Sequence, residues 1–347
     1  MKFYLCVTLL FFSATAFAAE PKTVRLLTIG NSFSANATHY LGDLAKAGGH
    51  TLIHNSLVIG GASFQVHADK AKLHEARPDD KAGLYTSGRG LQENLTMDKW
   101  EYVTIQQASI KSHDFATYQP HAGFLRDLIS KHAPQAKLLI HQTWAYRVDD
   151  PRFSAKAPKP GEPKTQEEMY RGLTAAYDKI AAELGGKVIP VGDALFMADT
   201  DANWGYQTDT SFDPKTAKQP NLPNQQHSLH VGWRWAKSKD GKKTTLTMDG
   251  HHANMAGEYL GACVWYEVLF RDSAVGNSYL PKGFDAAYAR FCRRPHTRLC
   301  REGGSKHRVK TSRMIMSRRQ QDLATAQTHR KRPPSKCDSF RLIYEIP

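Results

Sequence analysis

The stretch Val24-Arg25-Leu26-Leu27-Thr28-Ile29-Gly30-Asn31-Ser32-Phe33-Ser34 decides the fold class. A mostly apolar run ended by glycine predicts a strand buried on both faces that runs into a tight turn. Outward from it, the chain repeats the same unit. His39 to Ala47 reads as a short helix closed by Gly48-Gly49, and Thr51 to Ile59 as a second strand ended by Gly60-Gly61. Tyr102 to Ile105, Lys137 to His141 and Val188 to Val191 read as further strands. Phe124 to His132 and Glu167 to Leu184 have helical patterning, the latter with Met169, Leu173, Ala176 and Ile180 on one face. Met255 to Phe270 is an apolar helix. Repeated β-α units predict an α/β fold with a parallel sheet covered by helices, in which function gathers at the carboxyl ends of strands. Gly30-Asn31-Ser32, Gly60-Gly61, Gln106-Gln107 and His141-Gln142 all occupy such ends.

Two stretches interrupt the pattern. Asp149 to Lys164 is rich in proline and lysine and reads as a surface excursion near those strand ends. Asp199 to Lys243 is long, polar and aromatic, and a loop of that length is usually functional or an insertion.

Composition sets the boundaries. Residues 1–18 have the pattern of a signal peptide: Lys2, an apolar run from Leu5 to Phe12, and Ala16-Phe17-Ala18 for cleavage. That run is short for a membrane span and no later stretch resembles one, so a secreted or periplasmic protein is expected, with a retained N-terminal anchor as the alternative. Residues 19–292 then form one α/β domain. Residues 293–347 hold fifteen Lys/Arg against four Asp/Glu, so the first 292 residues carry only +3 of the net charge of +14. The body is close to neutral, which argues against nucleic-acid binding by it. The basic tail is expected to be disordered, an aberrant end to the reading frame, or a binder of anionic surfaces. Cys263, Cys292, Cys300 and Cys337 are too few for a disulfide framework, although a Cys292–Cys300 bridge is permitted.

Chemistry is suggested by Ser32 together with Asp249-Gly250-His251-His252-Ala253-Asn254. A serine at a strand-to-turn position is exposed and fixed in direction. An acid three residues before a histidine, in a turn or first helical turn, can hold the imidazole tautomer while the other ring nitrogen faces the serine. Ser32, Asp249 and His252 could thus be nucleophile, orienting acid and base, with His251 the lesser candidate for base. Each also has a capping explanation, Ser32 for the helix after it and Asp249 for the helix at Met255.

These segments resemble the SGNH (GDSL-type) hydrolases, over roughly Val24 to Phe270. Gly30-Asn31-Ser32-Phe33-Ser34 is similar to the nucleophile block, with Asn31 where Asp is commoner. Gly60-Gly61-Ala62-Ser63 resembles the second block, and Asp249-Gly250-His251-His252 the last one, Asp-x-x-His. The third block departs: the usual Gly-x-Asn is replaced by Gln106-Gln107-Ala108-Ser109. The resemblance implies a flavodoxin-like three-layer α/β/α sandwich and cofactor-free ester hydrolysis through an acyl-serine. It also implies an oxyanion hole from Gly61 and the Ser32 amide, with Gln107, then Gln106, then Ser109, in place of the asparagine. It is nearest to a bacterial branch close to the carbohydrate esterases, so small acyl esters, acetyl on a sugar or polysaccharide, are the expected substrates. A lipase or thioesterase, or a non-catalytic carbohydrate-binding protein on the same scaffold, are the alternatives. Trp144 and Trp233, among four tryptophans with Trp204 and Trp235, are candidates for a sugar-stacking rim or for core packing. His227 and His230 with His251-His252 raise a zinc cluster, but no Cys or acid completes a recognisable ligand spacing, and no metal is expected.

Overall fold

The computed structural model of the chain describes residues 20–156 and 161–301, with side chains through residue 294. The expected signal peptide and the stretch after residue 301 lie outside the described residues.

Strands β1 (Thr23–Gly30), β2 (Thr51–Val58), β3 (Tyr102–Ile105), β4 (Lys137–His141) and β5 (Lys187–Ile189) form one parallel sheet in the order β2-β1-β3-β4-β5. This is the flavodoxin-like order, whose direction reverses between β1 and β3. Right-handed crossovers then place the connections of the two halves on opposite faces. On one face α1 (Ser32–Thr38), α2 (Leu41–Ala47) and α7 (Val191–Asp199) pack on α8 (Met255–Phe270). On the other, α3 (Phe64–Ala76), α4 (Leu91–Thr96), α5 (His121–His132) and α6 (Gln166–Leu184) pack in succession. The result is the three-layer α/β/α sandwich. Helix α8 is apolar all round because it is enclosed: Tyr259, Trp265, Tyr266 and Phe270 are fully buried. Such side chains each contribute about 1.5–3 kcal/mol through removal from water.

Several elements differ from their sequence patterns. The helix expected from His39 begins at Leu41, and a separate α1 precedes it. Asp199 to Lys243 is not loop throughout: β6 (His230–Lys237) pairs antiparallel with β7 (Thr244–Ala253). Asp249 and His252 therefore sit on a strand, not in a helical turn. Helix α9 (Ala286–Arg301) runs through the expected boundary at residue 292, and Arg293 donates to Tyr259 Oη at 2.6 Å and to the Tyr279 carbonyl at 2.7 Å. The body therefore includes Arg293. Cys292 carries a free, buried thiol, and the side chain of Cys300, to which a bridge is permitted, lies outside those described. Among the described residues no helix is long and apolar enough to cross a membrane.

Candidate active site

Ser32 is the first residue of α1, directly after β1. The residue that caps α1 is Asn31, whose Oδ1 accepts from the Phe33 N–H at 2.9 Å. Asn31 Nδ2 donates to the Ala62 carbonyl at 2.9 Å, which ties the nucleophile turn to the Gly60-Gly61 loop. An aspartate could not make that second bond, since an ionised carboxylate only accepts. With the cap supplied by Asn31, the Ser32 hydroxyl is left for another partner. That partner is His252, with Nε2 at 2.9 Å from Ser32 Oγ.

In a regular strand, residues three apart face opposite sides. Asp249 and His252 share a side because β7 bulges. Gly232 pairs with Asp249 and His230 with Ala253, so one residue of β6 spans three of β7. Within the bulge, Asp249 Oδ1 accepts from the His252 backbone N–H at 3.0 Å, and His252 Nδ1 lies 3.1 Å from Asp249 Oδ2. An Nδ1–H directed at the carboxylate leaves the Nε2 lone pair for the serine proton. Burial raises the Asp249 carboxyl, but the hydrogen bonds from the His252 ring and backbone and the electrostatic pull of the two imidazole rings outweigh it. They hold it well below the ordinary carboxylate range.

The loop after β4 clamps this bulge. The Arg147 N–H donates to the Gly250 carbonyl at 2.8 Å, and Trp144 Nε1 to the His251 carbonyl at 2.9 Å. Arg147 is fully buried, bound to Asp149 at 2.7 and 3.0 Å and to Gln225 Oε1 at 2.7 Å. At the far end, Asn254 caps α8 through the Ala256 and Gly257 N–H groups and donates to the Ser228 and His230 carbonyls. Asp249 is thus no helix cap.

Trp144 is not part of a sugar-stacking rim. It is 1% exposed, packs on Phe33 with centroids 4.3 Å apart, and holds the His251 carbonyl. Trp233 is half-buried on β6 opposite Met248, one residue from the Gly232–Asp249 pair. His230 and His227 are also drawn away from His251 and His252. His230 is buried with Nε2 at 3.1 Å from the Ala145 carbonyl oxygen, and His227 stacks on Tyr288.

The side-chain amides of the two glutamines are bonded within the protein. Gln106 Nε2 donates to Asn31 Oδ1 at 2.6 Å and to the Gln107 carbonyl at 3.1 Å, while its Oε1 accepts from Ser34 Oγ. A Cβ at Gly30 would strike that same Ser34 and Gln106 pair, so the residue that ends β1 has to be glycine. Gln107 Nε2 donates to Thr117 O and Oγ1 at 2.9 and 3.1 Å, and its Oε1 accepts from the Phe64 and Ala108 N–H groups. Both amides have spent both hydrogens within the protein. Ser109 Oγ lies 2.9 Å from Tyr146 Oη. The Ser32 N–H, at the first position of a helix, has no intrahelical partner. Gly61 has φ +67° with open space where a Cβ would stand, and among the described residues its N–H has no partner.

The family described as domain of unknown function DUF4886 matches residues 25–213. That range spans the serine, glycine and glutamine segments and stops short of Asp249. No curated protein matches the chain. The crystal structure of a DUF4886 family protein from Bacteroides uniformis is similar at 25% identity and TM-score 0.62, over 82% of this chain and 96% of that one. A candidate SGNH hydrolase from Slackia heliotrinireducens is similar at 20% identity and TM-score 0.42, over 71% of this chain and 98% of that one. The lipase/acylhydrolase from Enterococcus faecalis is similar at 13% identity and TM-score 0.34, over 72% and 96%.

Proposed function

The chain belongs to the DUF4886 family, and from the geometry of its site we propose that it is a serine ester hydrolase of the SGNH type. The observation that carries this is the continuous chain Ser32 Oγ, His252 Nε2, His252 Nδ1, Asp249, with links of 2.9 and 3.1 Å. Ser32 Oγ attacks the acyl carbonyl as His252 takes its proton, and the imidazolium is held by ionised Asp249. His252 returns the proton to the leaving alcohol, and a water activated the same way releases the acyl group from Ser32.

With Gln106 and Gln107 committed elsewhere, the oxyanion falls to the Ser32 and Gly61 N–H groups. The glutamines act as struts beneath the nucleophile turn. Gln107→Leu strands the Phe64 and Ala108 N–H groups and should cost about 1–3 kcal/mol of stability. The kcat per folded molecule should change less than roughly tenfold. A loss of about 10²–10³-fold at unchanged stability would instead mark Gln107 as an oxyanion donor.

The substrate class we infer is a small acyl ester, acetyl on carbohydrate, handled outside the cytosol. The supports are the polar sequence around β6 and the signal-like pattern of residues 1–18; Trp233, one position along β6 from the Gly232–Asp249 pair, lies on the opposite face of the hairpin from Asp249 and does not add to them. No cofactor is required by this chemistry. Purified chain assayed on p-nitrophenyl acetate, longer-chain p-nitrophenyl esters and acetylated xylan should prefer the acetyl esters and release acetate from xylan. Preference for long acyl chains would move the assignment to a lipase or thioesterase. Binding of the glycan without release of acetate would favour the non-catalytic carbohydrate-binding alternative.

A further inference from the structure

The bulge that delivers His252 also delivers His251 to the same carboxylate. His251 Nδ1 and His252 Nδ1 each lie 3.2 Å from Asp249 Oδ1. The three ligand atoms fall within 4.8 Å of one another. A tetrahedral ion with metal–nitrogen and metal–oxygen bonds of about 2.0–2.2 Å keeps neighbouring ligand atoms about 3.3–3.6 Å apart. Both histidine–carboxylate separations already lie close to that edge length. The side chains of His251, His252 and Asp249 are 35%, 33% and 17% exposed, so an ion can enter and complete its shell with water. The backbone carrying them is fixed from behind by the Arg147 N–H and Trp144 Nε1. Two imidazoles and one carboxylate suit zinc and its late first-row neighbours rather than calcium or magnesium, which take oxygen.

We propose that Asp249, His251 and His252 form a site for a divalent transition-metal ion, zinc in the first instance, whose binding switches the triad off. The reason lies in the tautomer. A metal on His252 Nδ1 replaces the proton shared with Asp249 and requires the ring's remaining proton to sit on Nε2. His252 then presents an N–H to Ser32 where catalysis needs a lone pair. The same ion occupies the carboxylate that would stabilise the imidazolium. The site itself stands on geometry alone; its inhibitory effect rests on the ester-hydrolase reading.

The test separates those two. Full-length Ser32→Ala protein, which cannot turn over ester, is titrated with Co²⁺ by visible absorption and with Zn²⁺ by calorimetry. Binding at one ion per chain is expected, weakened at least tenfold by adding His251→Phe, which keeps the ring packing against Tyr146 while removing the ligand atom. With protein carrying Ser32, Zn²⁺ should suppress p-nitrophenyl acetate hydrolysis, chelation should restore it, and His251→Phe should raise the half-inhibiting concentration at least tenfold relative to its own metal-free rate. Failure to bind one ion, or equal binding by His251→Phe, overturns the site. One-ion binding with undiminished hydrolysis overturns the switch. No hydrolysis by metal-free protein counts against the ester-hydrolase reading, while the Co²⁺ titration still decides the site.

Discussion

Replacing Ser32 with alanine is expected to lower kcat for ester hydrolysis by roughly 10⁴- to 10⁶-fold, the scale on which nucleophile removal acts when serine and histidine work as one unit. The variant should fold normally. Asn31 provides the cap of α1 and the link to Ala62, so the Ser32 hydroxyl has no structural duty beyond His252. Alanine at the first helical position should leave stability within about 0.5 kcal/mol. The check is kcat on p-nitrophenyl acetate beside a thermal melt. A melt unchanged with kcat reduced less than tenfold would mean that the 2.9 Å contact between Ser32 and His252 is incidental.

Asp249→Asn should reduce kcat by about 10⁴-fold, as expected when the acid that sets a catalytic histidine's tautomer becomes an amide. The asparagine can keep its carbonyl on the His252 backbone N–H, which preserves the bulge. Its amino group then faces His252 Nδ1 as a donor, so the ring proton moves to Nε2 and the base is lost. The bulge is also held by the Arg147 N–H, Trp144 Nε1 and Asn254, so the cost in stability should stay near 1 kcal/mol. Steady-state kinetics and a melt on the same preparation distinguish the two. A drop in stability matched by little loss of kcat would make Asp249 a structural residue of the β7 bulge.

The sheet was legible in the sequence because continuous apolar runs ended by glycine, such as Val24 to Gly30, have few other solutions. Two of the helices that the patterning does not predict have no single face. Helix α3 places His67, Lys70, Lys72, His74 and Glu75 around Phe64, Ala68 and Ala71, and α7 is buried on nearly every side, so neither has a 3.6-residue stripe. The β6–β7 hairpin carries a local signal in the sequence. Asp240-Gly241 lies between Trp233-Arg234-Trp235 and Thr244-Thr245-Leu246, and Gly241 adopts φ +71° in the turn.

At the site, residue types and chain order identified the groups that meet, but only tertiary pairing shows how. The capping duties that competed with chemistry at Ser32 and Asp249 fall to Asn31 and Asn254. A bulge rather than a helical turn aligns Asp249 with His252. The role of the glutamines was not legible for a physical reason: an amide has two donors and two acceptor sites. Which of them face a substrate depends on neighbours such as Thr117 and Asn31 that lie 10 and 75 residues away in the chain.

The central claim is that Ser32 is a nucleophile activated by His252. Its most direct test is reaction of the native protein with a fluorophosphonate followed by peptide mass spectrometry. One phosphonyl group on Ser32 is predicted, with labelling abolished in Ser32→Ala and slowed at least a hundredfold in His252→Ala. Labelling of a different serine, or equal labelling rates with and without His252, would contradict it.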